Sequence, residues 1–181
     1  MSILKVARMG HPVLRACARP LERQEIKSAR VQMLIDDMIE TMLEYRGVGL
    51  AAPQVHEGLR LFVALLEEDD QAPDREARDA DPDPIVIINP QLTVIDEELV
   101  EDWEGCLSIP DIRGQVPRAR AISVRALDRR ANPIEFREAN FSARVVQHET
   151  DHLDGVLFVD RMRQFKSLTF LEEYAKYWRK D

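Results

Sequence analysis

Residues 147–155 read Gln-His-Glu-Thr-Asp-His-Leu-Asp-Gly, and this stretch restricts the fold more than any other. An α-helix turns about 100° and rises about 1.5 Å per residue, so His148 and His152 stand about 40° apart around the axis and about 6 Å apart along it. Both imidazoles then reach one ion. Glu149 lies about 100° from His148, where it flanks the ion and can reach a water there without being a ligand. The chain holds four His, so an accidental match is a poor account. The helix is predicted over 141–155, with Ser142 capping its start and Gly155 ending it. Val146, Thr150 and Leu153 share the opposite face, which predicts burial on both sides. The Thr150 hydroxyl is expected to bond back to the carbonyl of Val146. Asp151, on the metal side, either orients a neighbouring Arg or ligand His or is solvated.

The rest of the chain supplies a scaffold. Its 181 residues suit one domain with its own core, read as 1–181. The formal net charge is −8, which argues against a nucleic-acid surface because phosphate binding needs a basic face. With two Cys, Cys17 and Cys106, no disulfide framework is possible. The opening lacks the apolar core of a signal peptide and no run is long enough to span a membrane, so a soluble, cytoplasmic protein is expected. Val31, Leu34, Ile35, Met38 and Met42 follow a helical period that Gly47 can end. Residues 60–66, 84–90, 92–95, 121–127 and 133–138 read as strands. Residues 67–84 are acidic and Pro-containing, and read as a mobile surface loop. A third amphipathic helix is expected over 167–178. The class is α+β: antiparallel or mixed sheets around a central buried helix carrying the two His, with N-terminal and C-terminal helices.

Two His do not complete a hydrolytic metal site. A metzincin continuation fits as far as Gly155 but places Phe158 at the third ligand position, where nothing can bind an ion. A Glu from a later helix, Glu172 or Glu173, would complete a Glu-zincin site, yet both read as a solvated face beside Lys176. His11 and His56 adjoin Pro12 and Gly58 and read as surface residues. Cys106, in Glu-Gly-Cys-Leu-Ser-Ile-Pro, is the better candidate, since a thiolate binds late first-row divalent ions strongly.

Three segments can then be read together: Gly47 to Gln54 (GVGLAAPQ), Glu104 to Ser108 (EGCLS) and Gln147 to Leu153 (QHETDHL). In order and sequence they closely resemble the three motifs of peptide deformylases, and the resemblance runs from GHPVLR near the start to FVDRM after the metal helix. It implies metal binding by Cys106, His148 and His152, with Glu149 as acid and base. It implies contacts to the formyl group from Gln54, Gly49 and the Leu107 backbone. The ion implied is Fe²⁺, with Zn²⁺, Ni²⁺ or Co²⁺ as substitutes, and the substrate is the N-formyl-methionyl end of a new polypeptide. A ribosomal partner follows from that substrate. Lys166, Lys176, Arg179 and Lys180 could touch rRNA, although a solvated helix end is the plainer reading. Thr150, where an apolar residue is more usual, and the acidic loop depart from the pattern.

Formamide hydrolysis needs a nucleophile and a place for negative charge. Glu149 would take a proton from water and return one to the leaving amine. The Gln54 amide and the Leu107 N–H would hold the developing oxyanion. Gly47 and Gly49 would let the backbone approach substrate closely, and Gly105 would do so beside the thiolate. Val48, Ile109 and Val145 are candidates for the wall of a methionine pocket. Two rivals stand: a Glu-zincin peptidase, and a non-catalytic binder of peptide N-termini.

Overall fold

The computed structural model describes residues 2–66 and 83–179. Its longest N-terminal helix, α2 (Ala29–Glu44), follows a single turn, α1 (Arg23–Ile26). Ser28 caps α2 by accepting from the Val31 N–H at 3.3 Å, and Val31, Ile35, Met38 and Met42 are buried at helical spacing. The helix ends one residue earlier than the glycine suggests. Arg46 takes the left-handed conformation, at φ 53°, and donates its N–H to Leu43, while Gly47 donates to the Met42 carbonyl. This is a Schellman ending with Arg, not Gly47, at the strained position. Gly47 has a different use: a Cβ there would crowd Leu107 Cδ1 at 3.1 Å.

Strands β1 (Gly49–Ala51), β2 (Leu61–Ala64), β3 (Ile85–Cys106), β4 (Ile109–Leu127) and β5 (Pro133–Ala139) form one sheet in chain order. Every pairing between named strands is antiparallel. The stretches 84–90 and 92–95 are not separate strands but parts of β3, which bends at bulges instead of breaking. β3 and β4 form a long hairpin whose last pair is Cys106 with Ile109. The EGCLS motif spans the end of β3 and the Leu107–Ser108 turn between the strands. The acidic segment read as a mobile loop lies, for residues 67–82, outside the described residues.

Helix α3 (Asn140–Leu153) packs against β1, β2, β4 and β5. Its cap is Ala139, not Ser142, which is buried inside the first turn. Gly155, at φ 73°, ends it as expected, with its N–H and that of Val156 bonded to His152 and Asp151. Val146 and Leu153 are fully buried among Phe62, Ile87, Ile122 and Val124. A second apolar cluster joins α2 to β1, β2 and the start of β3. The buried central helix within antiparallel strands is the α+β arrangement expected from sequence.

After α3 come a short turn, α4 (Phe158–Arg161), then β6 (Thr169–Phe170), which pairs with β4, and α5 (Leu171–Tyr177). The C-terminal helix is therefore shorter than the predicted 167–178. Its start is drawn into pairing with Ile112 and Arg113, and none of its residues is buried. Trp103 meets Tyr174 and Trp178 there, with ring centroids 4.9 Å and 5.7 Å apart. No helix among the described residues is long and apolar enough to cross a membrane.

Candidate metal centre

Two elements meet at the site. Glu104 and Cys106 are two residues apart near the end of β3 and both are buried, as the two-residue period of a strand requires for side chains on one face. That face meets α3. Cys106 Sγ lies 3.2 Å from His152 Nε2, and Glu104 Oε2 lies 2.9 Å from His148 Nδ1. The two imidazole rings stand 4.9 Å apart at 78°. One donor atom from each of Cys106, His148 and His152 falls within 4.8 Å of the others. Phe158, which occupies the metzincin ligand position, stacks on the His148 ring at 6.3 Å.

The donor set suits a divalent first-row ion. One thiolate and two imidazoles fill three positions of a tetrahedron and leave the fourth for water or substrate, as in catalytic rather than structural zinc-type sites. Burial alone would push the Cys106 thiol up. The charge of His152 and hydrogen bonds with His148 and His152 outweigh it and hold the thiol well below its ordinary range. With Glu104 on Nδ1, the His148 Nε2 is the nitrogen left for an ion. Glu172 and Glu173 are exposed on α5. Cys106, His148 and His152 are the one such metal-capable group among the described residues.

Glu149 is 4 % exposed, and its Oε2 has no hydrogen-bond partner among the described residues. Burial pushes its carboxyl up to about 7, with the charges of His148 and His152 pulling the other way. Gly49 makes room for it: a Cβ on Gly49 would collide with the Glu149 carboxylate. Gln54 sits on the 3-10 turn Ala52–Val55 that follows β1. Its Oε1 accepts from the Ala51 N–H at 2.8 Å, which fixes the amide orientation. Its NH₂ then points to Cys106 Sγ at 3.4 Å and Ser108 Oγ at 3.3 Å.

These groups border a cavity of about 750 Å³, within the range that holds a drug-sized ligand or short peptide. Val48, Leu107 and Val145 line it with Gly49, Gln54, Cys106, His148 and Glu149. Ile109 does not. It is 3 % exposed and packs with Leu14, Val116 and Phe158, because its strand position turns it away from the cavity.

Sequence reasoning offered an arginine partner for Asp151 but missed the rest of a buried charge network behind the candidate ligands. Glu104 accepts from Arg118 Nε at 2.9 Å and from Arg144 Nη1 at 2.8 Å. Arg118 also reaches Asp151, which binds Arg161 as well. Asp151 is therefore an anchor for arginines, not a solvated residue. Burial opposes the Glu104 charge, but His148 and Arg118 hold its carboxyl well below the usual range. The available signal was Glu104 at the two-residue strand spacing from the candidate thiolate. The Thr150 hydroxyl is buried and has no hydrogen-bond partner among the described residues, so the expected bond to Val146 is not made.

A family model for polypeptide deformylase matches residues 3–167. Peptide deformylase 2 of Nostoc sp. is 41 % identical over 174 residues, covering 96 % of this chain and 94 % of that protein. Peptide deformylase 2 of Pseudomonas putida is 41 % identical over 170 residues, covering 94 % and 93 %. Among solved structures, the Met-Ala-Ser-bound class I type b peptide deformylase from Acinetobacter baumannii matches with a TM-score of 0.78 at 39 % identity. That match covers 90 % of this chain and 100 % of the other. Peptide deformylase from Thermotoga maritima matches with a TM-score of 0.77 at 36 % identity, covering 91 % and 100 %.

Proposed function

The chain belongs to the polypeptide deformylase family, and from that premise we propose which of its residues do the chemistry. It is a metal-dependent hydrolase that removes the formyl group from the N-terminal formyl-methionine of new polypeptides and releases formate. The observation that carries this reading is the convergence of Cys106, His148 and His152 beside a buried Glu149 carboxylate oxygen with no partner among the described residues.

Cys106, His148 and His152 hold the ion. When bound, it lowers the pKa of a coordinated water and polarises a carbonyl oxygen. Fe²⁺ is the ion we propose on the strength of the family resemblance, with Zn²⁺, Ni²⁺ or Co²⁺ as substitutes, since a thiolate with two imidazoles suits first-row divalent ions generally. Glu149 takes a proton from the attacking water at its free Oε2 and delivers one to the leaving amine. A carboxyl raised to about 7 is matched to that two-way transfer near neutral pH. Gln54 is the neutral donor beside the thiolate, and with the Leu107 N–H it steadies the oxyanion. Gly49 keeps the Glu149 carboxylate and the substrate backbone close together. Val48 and Val145 form part of the apolar wall that receives the methionine side chain.

The whole chain is read as one catalytic domain, working in the cytoplasm on nascent chains as they leave the ribosome. Of the candidate ribosome contacts, Lys166, Lys176 and Arg179 are exposed, and Lys180 lies outside the described residues. Replacing Cys106 by Ser tests the ligand set against the Glu-zincin alternative. Loss of bound metal and of formate release from formyl-Met-Ala-Ser is expected. Retention of both would remove Cys106 from the site.

A further inference from the structure

The molecule is acidic, with a formal charge of −8, but the mouth of its cavity is not. Lys5, Arg8, Arg46 and Arg113 line the cavity together with the acidic Asp111, Glu104 and Glu149; of those three acids only Asp111 is exposed, Glu104 and Glu149 being buried. Lys5, Arg8 and Arg46 are exposed and make no side-chain ion pair or hydrogen bond among the described residues. Arg113 lies over Gly105, where a Cβ would collide with its guanidinium. Among the described residues, its guanidinium makes one hydrogen bond, to the carbonyl of the preceding residue. Elsewhere the arginines of this chain are commonly paired, as Arg19 is with Glu25, Arg60 with Asp154 and Arg120 with Asp96.

Arg46 adds an independent observation. It occupies the left-handed position that ends α2, at φ 53°. Glycine fills such a position with no steric cost, whereas any other residue carries strain there. An arginine that keeps a strained backbone at a cavity mouth, with no ion pair among the described residues, points to a role beyond the fold.

On the deformylase reading, the formyl-methionine goes inward and the residues that follow it must cross this mouth. We propose that Lys5, Arg8, Arg46 and Arg113 make the enzyme selective for substrates carrying a carboxylate within the two residues after formyl-methionine. Basic residues there are disfavoured by the same field. Arg46 is a specificity-determining residue in this account, not a catalytic one.

The test uses metal-loaded enzyme and three amidated peptides, formyl-Met-Asp-Ser, formyl-Met-Ala-Ser and formyl-Met-Lys-Ser. The amide removes the carboxylate of the chain end, so any gain belongs to the side chain. The expected order of kcat/KM is Asp above Ala above Lys, with roughly a fivefold spread between the extremes, as for a few exposed charge contacts. That spread should shrink in 1 M salt, where screening acts over only about 3 Å. Arg46→Gly should narrow the spread without lowering the melting temperature, since it relieves the left-handed strain. Equal or reversed kcat/KM at low salt would overturn the proposal, as would a spread untouched by salt or by Arg46→Gly. If no peptide releases formate with metal bound, the deformylase reading fails separately. The mouth is then judged by calorimetry with amidated Met-Asp-Ser and Met-Lys-Ser: tighter binding of the Asp peptide supports it, and equal binding overturns it.

Discussion

Glu104 holds His148 from behind: Oε2 lies 2.9 Å from the ring Nδ1, and the same carboxylate takes hydrogen bonds from Arg118 and Arg144. One buried carboxylate thus sets the tautomer of a candidate metal ligand and pairs with two guanidinium groups, of which Arg118 also pairs with Asp151. Glu104→Gln keeps the shape and removes the charge, leaving Arg144 without a carboxylate partner among the described residues and Arg118 with Asp151 alone. Stability should fall by about 3–5 kcal/mol, as when one partner of a buried pair is lost. Metal affinity should fall about 10–100-fold. Urea unfolding and a chelator competition titration read the two effects. Unchanged metal affinity would mean that His148 is oriented by the fold alone.

Gly49 and Glu149 are in such close approach that a Cβ at Gly49 would collide with the carboxylate. Gly49→Ala should therefore push the Glu149 side chain aside while leaving the three ligands where they are. The expected result is full metal content with kcat lowered at least about 10²-fold, the low end of what positioned acid–base groups contribute. A variant with near wild-type kcat would show that the Glu149 position is not critical.

Glu149 also gives the metal-free protein a pH signature. Folded, its carboxyl is raised to about 7 from an ordinary 4.5. Between those values the folded state keeps a proton that the unfolded chain has released, so stability is highest below the lower value and declines as pH rises toward the upper one. Glu149→Gln removes the decline. At pH 8 it should be more stable than the wild type by on the order of 3 kcal/mol, and at pH 4 the two should match. Melting curves in chelator across this range check it, and a gap that is constant with pH would contradict it.

Thr150 faces the apolar side of α3 with its hydroxyl buried and without a hydrogen-bond partner among the described residues. A valine fills nearly the same volume without an unsatisfied polar atom. Thr150→Val should stabilise by roughly 1–2 kcal/mol, about 2–8 °C in a chain of this size. A lower melting temperature would mean that the hydroxyl has a partner after all.

The candidate metal-binding cluster was legible because helix and strand periods are short-range. His148 and His152 needed only the turn of a helix, and Gly155 ends that helix for the reason glycine usually does. Cys106 was reachable by chemistry, through exclusion of Phe158 and of a solvated Glu172 and Glu173. What escaped was tertiary. Arg118 and Arg144 lie far from Glu104 in sequence, and only the β3–β4 hairpin and the packing of α3 bring the three together. Ile109 looked like pocket wall from its place beside the motif, but the register of the hairpin turns it into the core. The helix expected over 167–178 lost its first residues to a strand pairing with β4, a competition that local propensity does not contain. At the end of α2, Arg46 took the conformation expected of a glycine, and that placed its charge at the cavity.

The most direct measurement is formate release from formyl-Met-Ala-Ser by anaerobic, Fe²⁺-loaded protein, with bound metal quantified in the same sample, for the wild type and for Glu149→Gln. The account predicts one ion per chain in both, turnover by the wild type, and a loss of at least about 10²-fold in the variant. Stoichiometric metal with no formate from the wild type would contradict it and leave a protein that only binds peptide N-termini.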